Sequence, residues 1–256
     1  MIIKTELVKY CNVLGLNLGQ AEIDYIQHLF LIFFSKHSGN SYIFKGGTAL
    51  QKGYGLNRFS IDLDFTQVHE NNINEIINKI SSDISDFGYK TEVEEKKTIG
   101  KTFILKINGP LYIGTKMSIC NLKIEISQRE SILLKPQFKE IMPRYNDLQP
   151  YTIMIMDEEE ILAEKVRAIM TRNKPRDVFD LGFILKRGAK FQLEFINKKL
   201  EYYKEQFEMK RFIDKLKEKE NIWEKEMRNY VKDVPEFKTI LKEITNAINN
   251  NKDKYK

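Results

Sequence analysis

Residues 43–65 read IFKGGTALQKGYGLNRFSIDLDF, and few folds can accommodate that stretch. A short extended run ends at Phe44, Gly46-Gly47-Thr48 follows before a helix-like run, and the stretch closes on Asp62 and Asp64, separated by a single leucine. Residues two apart in a strand share a face. Ile61, Leu63 and Phe65 are therefore expected in a core, with Ser60, Asp62 and Asp64 together on the opposite side. Two carboxylates held this close repel each other unless a cation lies between them. Mg2+ accepts hard oxygen ligands, commonly one or two carboxylates plus substrate phosphates. The glycines let backbone approach a ligand closely, and a helix that starts there directs N–H groups and a positive dipole end at an anion. Phosphate on the amides of residues 46–48 and metal on the two aspartates would make one site.

The remaining pattern supplies the frame. Apolar residues at helical spacing predict helices over residues 3–14 and 20–36, the second with Leu29, Ile32 and Phe33 on one stripe, and residues 42–44 read as extended. Residues 72–87 are helical through Ile73, Ile76, Ile77, Ile80 and Ile84, and Gly88 is placed to end that helix. Residues 89–95, 102–107 and 120–127 read as adjacent antiparallel strands, separated by the turn signals Asn108-Gly109-Pro110 and Gly114. After a strand over residues 151–156, Asp157 can cap a helix and Glu160 can complete a capping box. Pro175 suits the first turn of the next helix, which runs to about residue 185 and ends at Gly188. Residues 191–219, 221–231 and 236–249 continue in helix formers, and the tail from residue 249 is expected to fray. The fold class is thus α+β: a mixed β-sheet flanked by helices over residues 1–156, then an all-helical part over 157–256.

Two further positions extend the candidate site. In NLKIEIS, Leu122, Ile124 and Ile126 form a core face, which puts Glu125 with Lys123 and Ser127 on the other; if this strand neighbours Asp62 and Asp64, Glu125 becomes a third acid for a metal site. In ILAEKVRAIM, Lys165 falls within the apolar stripe, whereas Glu160, Glu164, Arg167 and Thr171 make the wet face. A lysine so placed snorkels or meets an anion such as phosphate. Asp177 and Asp180 lie one turn apart on the following helix, where acids are also favoured by the dipole alone. Arg58 and Arg172 either grip phosphate or are solvated.

Composition narrows the partners. From Lys186 onward there are 19 Lys+Arg against 13 Asp+Glu, so the whole formal charge of +6 lies in the last 71 residues. Such a bias suits a polyanion such as nucleic acid, and it also suits solvated Lys/Glu-rich helices. No apolar run approaches membrane-spanning length, and Cys11 and Cys120 have no metal or redox spacing, so a reducing cytoplasm with two ordinary core thiols is expected. His28, His37 and His69 share no ligand spacing, and no GxSxG, HExxH or Walker-type loop occurs.

Lys45-Gly46-Gly47-Thr48-Ala49-Leu50, then Arg58-Phe59-Ser60-Ile61-Asp62-Leu63-Asp64-Phe65, then residues 159–168 (EEILAEKVRA), then Arg176-Asp177-Val178-Phe179-Asp180-Leu181 together resemble the AbiEii/AbiGii family of nucleotidyltransferase-like toxins, in the DNA-polymerase-beta-like superfamily. The resemblance implies a minimal nucleotidyltransferase core. It implies that Asp62 and Asp64, with Glu125 as third acid, bind Mg2+ (or Mn2+), and that Gly46, Gly47 and Thr48, helped by Lys45, Arg58 and Ser60, hold a nucleoside triphosphate. Lys165 would contact the triphosphate and neutralise its charge, and Asp177, supported by Asp180, would organise the nucleotide site. It further implies transfer of a nucleotide to an acceptor, RNA of tRNA-like kind or a protein, and a cognate antitoxin as partner. Two other readings use the same residues. Asp62-Leu63-Asp64-Phe65-Thr66 matches the DxDxT of haloacid-dehalogenase-like phosphatases, although residues 56–60 are a poor hydrophobic strand and the repeated βαβ pattern is missing. A non-catalytic nucleic-acid or partner-binding module on the same fold is the other.

Overall fold

The strand patterns of the first half join into one sheet. The computed structural model describes residues 1–97 and 100–252, and it divides into two units. The first comprises residues 1–54, 59–131 and 136–155; the second comprises 55–58, 132–135 and 156–256.

In the first unit the chain order is α1 (Lys4–Leu14), α2 (Leu18–His37), β1 (Tyr42–Lys45), α3 (Gly46–Tyr54), β2 (Leu63–Gln67), α4 (Ile73–Phe87), β3 (Thr91–Lys97), β4 (Lys101–Ile107), a short 3-10 turn (Lys116–Ser118), β5 (Cys120–Ser127), β6 (Gln137–Ile141) and β7 (Tyr151–Ile155). The strands form a seven-stranded sheet in the order β3-β4-β5-β2-β1-β7-β6. It is mixed: β2 runs parallel to β5 and β1 parallel to β7, and the other neighbours are antiparallel. The expected β3, β4 and β5 are adjacent and antiparallel, Asn72 caps α4, and Gly88 ends it in the left-handed region at φ 120°. The strand β6 was not anticipated; its sequence QFKEI has only Ile141 buried, so it shows little hydrophobic run.

The core of this unit lies between α2 and the central strands. Phe34 stacks on Phe65 with ring centroids 4.3 Å apart, and Phe44 lies 5.1 Å from Phe65. Rather than one buried stripe, α2 is buried on most of its faces, with Phe34 fully enclosed and Phe33 half-buried. Its polar residues therefore need partners inside the protein. Lys52 Nζ donates to Asp24 Oδ1 at 2.9 Å, the Tyr145 hydroxyl donates to Asp24 Oδ2 at 3.0 Å, and His28 Nδ1 lies 3.0 Å from the Tyr151 hydroxyl. Residues 60–62 precede β2 instead of belonging to it, and Ile61 is 36% exposed, so it does not join the core face.

The second unit is helical among its described residues: α5 (Glu158–Thr171), α6 (Pro175–Lys186), α7 (Leu193–Glu201), α8 (Met209–Lys217), α9 (Glu220–Met227) and α10 (Phe237–Lys252). The helix expected over residues 191–219 is broken after Glu201, where Lys204 adopts φ 55°, and resumes at Met209. The expected fraying of the tail concerns in part residues 253–256, which lie outside the described residues; α10 itself continues to Lys252. Asp157 caps α5 by accepting from the Glu159 amide. Glu160 and Glu164 do not make a wet face. Glu160 is fully buried, accepts the amides of Leu133 and Leu134 at 3.0 and 2.9 Å, and meets Lys199 at 2.6 Å, while Glu164 lies 3.4 Å from the same ammonium. These partners come from distant sequence, so helical periodicity could not reveal them.

His28 supplies a pH test of the first unit. Burial, reinforced by the Lys52 charge, pushes its imidazole down to about 3 against the opposing pull of Asp24. The folded protein thus binds fewer protons than the unfolded chain between pH 3 and the ordinary value of 6.5, so this contribution is full above pH 6.5 and is lost as pH falls. In urea titrations from pH 6.5 to 4.5 the wild type is expected to lose up to about 1.4 kcal/mol per pH unit from this group. The His28→Gln variant should show a correspondingly flatter dependence.

Candidate nucleotide and metal site

Three strands bring charged residues from distant sequence into one row. In antiparallel register Lys45 of β1 faces Asp64 of β2, and in parallel register Asp64 lies beside Glu125 of β5. On β5 the core side is closed by Leu122, Ile124 and Ile126, so Lys123, Glu125 and Ser127 take the opposite face. Asp62 stands one residue before β2 begins and two before Asp64. The expected adjacency of the third-acid strand is thus what the register gives: Leu63 pairs with Ile124 and Asp64 with Glu125.

The backbone that presents Asp62 is anchored from two helices. Gln27 of α2, fully buried, donates from Nε2 to the carbonyls of Ser60 and Ile61 at 2.9 and 2.7 Å. Thr48 of α3, also fully buried, donates its hydroxyl to the carbonyl of Asp62 at 2.5 Å. Three successive carbonyls are thereby fixed by side chains. The Thr48 hydroxyl points to this backbone, which leaves its amide as the group at the helix start. Sequence reasoning missed Gln27; its only signal is a polar residue inside the apolar run of α2.

Gly46 begins α3 with φ +76°, a left-handed conformation that side chains other than glycine rarely adopt. A Cβ built at Gly46 would overlap Oδ2 of Asp64, with Cγ of Asp64 at 3.1 Å. The Asp64 carboxylate therefore lies against the first residue of α3, where a helix dipole favours negative charge. Gly47 is buried in the same turn. Lys45, 7% exposed, has its ammonium 2.8 Å from Glu130 Oε2. Ser60 is buried, with its carbonyl held by Gln27.

Lys123 pairs with the third acid of the set. Its Nζ lies 2.6 Å from Glu125 Oε1. Burial opposes its protonation, but the hydrogen bond to Glu125 and the charges of Glu125, Asp62 and Asp64 hold the ammonium above its ordinary value. Among the described residues no three of His, Cys, Asp and Glu converge closely enough to enclose a metal ion. The donor set itself fits a hard divalent ion, with carboxylates only, two of them register neighbours, beside a glycine whose missing Cβ leaves room for the Asp64 carboxylate.

The other predicted residues form a separate ionic network within the helical unit. Lys165 of α5, 6% exposed, has its ammonium 3.0 Å from Asp177 Oδ1 and 2.7 Å from Asp180 Oδ2, both on α6 and both fully buried. Arg58 grips Asp180 with Nε at 2.5 Å and Nη2 at 2.7 Å from its two oxygens, and Arg172 grips Asp177 at 2.8 and 2.9 Å. Arg58 is 4% exposed and so is not simply solvated. Burial would raise both aspartates, but Lys165 and Arg172 at Asp177, and Arg58 and Lys165 at Asp180, hold them below the ordinary carboxylate value. The Tyr230 ring lies 5.8 Å from the Arg58 guanidinium and 5.7 Å from that of Arg176.

The model of the family described as nucleotidyl transferase AbiEii toxin, type IV toxin–antitoxin system, matches residues 32–247. Two solved structures share the fold. MenT4, a nucleotidyltransferase toxin from Mycobacterium tuberculosis, aligns with TM-score 0.70 and 18% identity over 97% of this chain and 89% of its own. JHP933 from Helicobacter pylori aligns with TM-score 0.63 and 19% identity over 92% of this chain and 94% of its own. No curated protein matches the sequence significantly.

Gly46 tests the site's construction. Gly46→Ala must either move the Asp64 carboxylate or change the backbone at the start of α3. It is expected to lower stability by about 1–2 kcal/mol and to reduce turnover at least tenfold, read from thermal melts and steady-state rates. A variant with unchanged turnover would show that this close approach has no part in function.

Proposed function

This chain belongs to the AbiEii family of nucleotidyl transferase toxins, and from that premise we propose that it moves a nucleoside monophosphate from a nucleoside triphosphate onto an acceptor hydroxyl of RNA, tRNA-like in kind. The observation that carries the reading is the register that sets Asp64 beside Glu125, with the Asp64 carboxylate against the first residue of α3.

The acceptor hydroxyl releases its proton to solvent as its oxygen attacks the α-phosphorus, the bond from that phosphorus to the bridging oxygen of the β-phosphate breaks, and pyrophosphate leaves. Amides of Gly46, Gly47 and Thr48 hold phosphate, as a helix start does for anions. Asp62, Asp64 and Glu125 would hold Mg2+, with Mn2+ as substitute. The bound ion would neutralise charge on the phosphates as pyrophosphate departs. Gln27 holds the carbonyls of Ser60 and Ile61 and Thr48 that of Asp62, which would limit how far the Asp62 carboxylate must reorganise. In the helical unit, Lys165, Asp177, Asp180 and Arg58 are proposed as a nucleotide-binding element organised by their mutual ion pairs. Lys45 and Ser60 contribute to the phosphate side. The excess of basic residues after Lys186 suits a polyanionic acceptor. A cognate antitoxin and a cytoplasmic setting complete the proposal; among the described residues no helix is long and apolar enough to cross a membrane.

Incubation with each labelled nucleoside triphosphate, Mg2+ and total RNA tests it. Label is expected on RNA with one preferred nucleotide. In Asp62→Asn and Asp64→Asn the rate should drop at least about a hundredfold, because charge neutralisation carries phosphoryl chemistry. Phosphate release without labelled RNA, nucleotide binding without turnover, or undiminished transfer by Asp62→Asn would each overturn the assignment. For the helical unit, Lys165→Met should lose transfer, and a Lys165→Met protein with wild-type rates would remove that lysine from the proposal.

A further inference from the structure

We infer that Lys123 is the resident counter-ion of the acidic face, holding Asp62, Asp64 and Glu125 together when no divalent ion is bound and giving way to the ion when one arrives. The inference rests on the reading of those three acids as the metal-binding set.

The sheet register places Lys123. Leu63 pairs with Ile124 and Asp64 with Glu125; Asp62 and Lys123 each precede the first of those pairs by one residue, Lys123 within β5 and Asp62 just before β2. Asp64 stands beside Glu125, and Lys123 shares with Glu125 the face of β5 opposite the apolar row of Leu122, Ile124 and Ile126. The Lys123 ammonium lies 2.6 Å from Glu125 Oε1, and Glu125 is the register neighbour of Asp64. Without it, Asp64 and Glu125 would stand side by side with one fewer cation next to them, each feeling the like charge of the other.

Two nearby lysines differ in a way that decides the role. Lys45 is also in the row, facing Asp64, but its ammonium is enclosed with Glu130, both side chains being 9% exposed. The Lys123 side chain is 38% exposed and its partner Glu125 is 44% exposed. A long, half-exposed side chain can swing away at little cost, which leaves Glu125 able to turn to an incoming ion. Lys123 therefore competes with the divalent ion for the same carboxylates, and it stabilises the metal-free protein as the metal stabilises the loaded one.

Mn2+ binding to nucleotide-free protein, followed by electron paramagnetic resonance together with thermal melts, tests this with no dependence on turnover. Lys123→Met is expected to bind Mn2+ roughly three- to tenfold more tightly than wild type, since an opposing cation has gone. Its metal-free melting temperature should fall, and Mn2+ should raise that temperature by more than in wild type. Lys123→Arg keeps the charge and should behave like wild type in both measurements, which separates charge from any packing defect. Unchanged or weaker Mn2+ binding by Lys123→Met, with Asp64→Asn having lost binding, would overturn the counter-ion role and leave the metal site standing. If wild type and Asp64→Asn bind Mn2+ equally, or neither binds, the metal-site reading fails and the inference fails with it.

Discussion

Two carboxylates side by side on one face of a sheet, with a third just before the strand, repel each other, and much of the first unit is the arrangement that tolerates them. Parallel pairing of β2 with β5 puts Asp64 beside Glu125, and the turn before β2 adds Asp62. Three sources of positive potential answer this charge. Lys123 lies within the group, Lys45 lies in the same row one strand away, and the start of α3 meets the Asp64 carboxylate directly. Gly46 is required at that meeting because neither a Cβ nor an ordinary φ would fit there. Below the acids, Gln27 and Thr48 take up three consecutive carbonyls, so the polar backbone of a non-strand segment is satisfied in the interior.

The helical unit handles charge in a different way. Asp177 and Asp180 are fully buried, and such groups are tolerable only when paired and hydrogen-bonded. Lys165 bridges both, while Arg58 and Arg172 each add a two-point grip from one side. Deleting one partner of such a pair typically costs about 3–5 kcal/mol, because the remaining charge stays buried alone. The Glu160, Lys199 and Glu164 group is built by the same rule, and it ties the amides of Leu133 and Leu134 to α5. Lys165, Asp177 and Asp180 are thus held by each other as well as by the helices that carry them.

Much of the fold was legible because local rules and tertiary structure agreed. The helix α4 shows a single apolar stripe with Asn72 before it and Gly88 after it, and β5 shows strict alternation, so period and caps named both correctly. Legibility failed where partners were remote. The break between α7 and α8 has no proline or glycine to announce it, β6 has no apolar alternation, and Glu160 looks like a solvated acid until Lys199 and the strap at residues 132–135 are in place.

The sequence alone determined the chemical inventory: a Gly-Gly-Thr before a helix, two aspartates at strand spacing, a third acid opposite an apolar row, and a lysine inside an apolar stripe. Those follow from backbone freedom and from the periods of strand and helix, which are properties of neighbouring residues. Only the tertiary structure decided that Asp64 stands beside Glu125, that Gln27 holds the carbonyls of Ser60 and Ile61, and that Lys165 meets Asp177 and Asp180. The reason is that strand register and buried ion pairing join residues far apart in the chain, and the energy that selects them exists only once burial has removed water from between the partners.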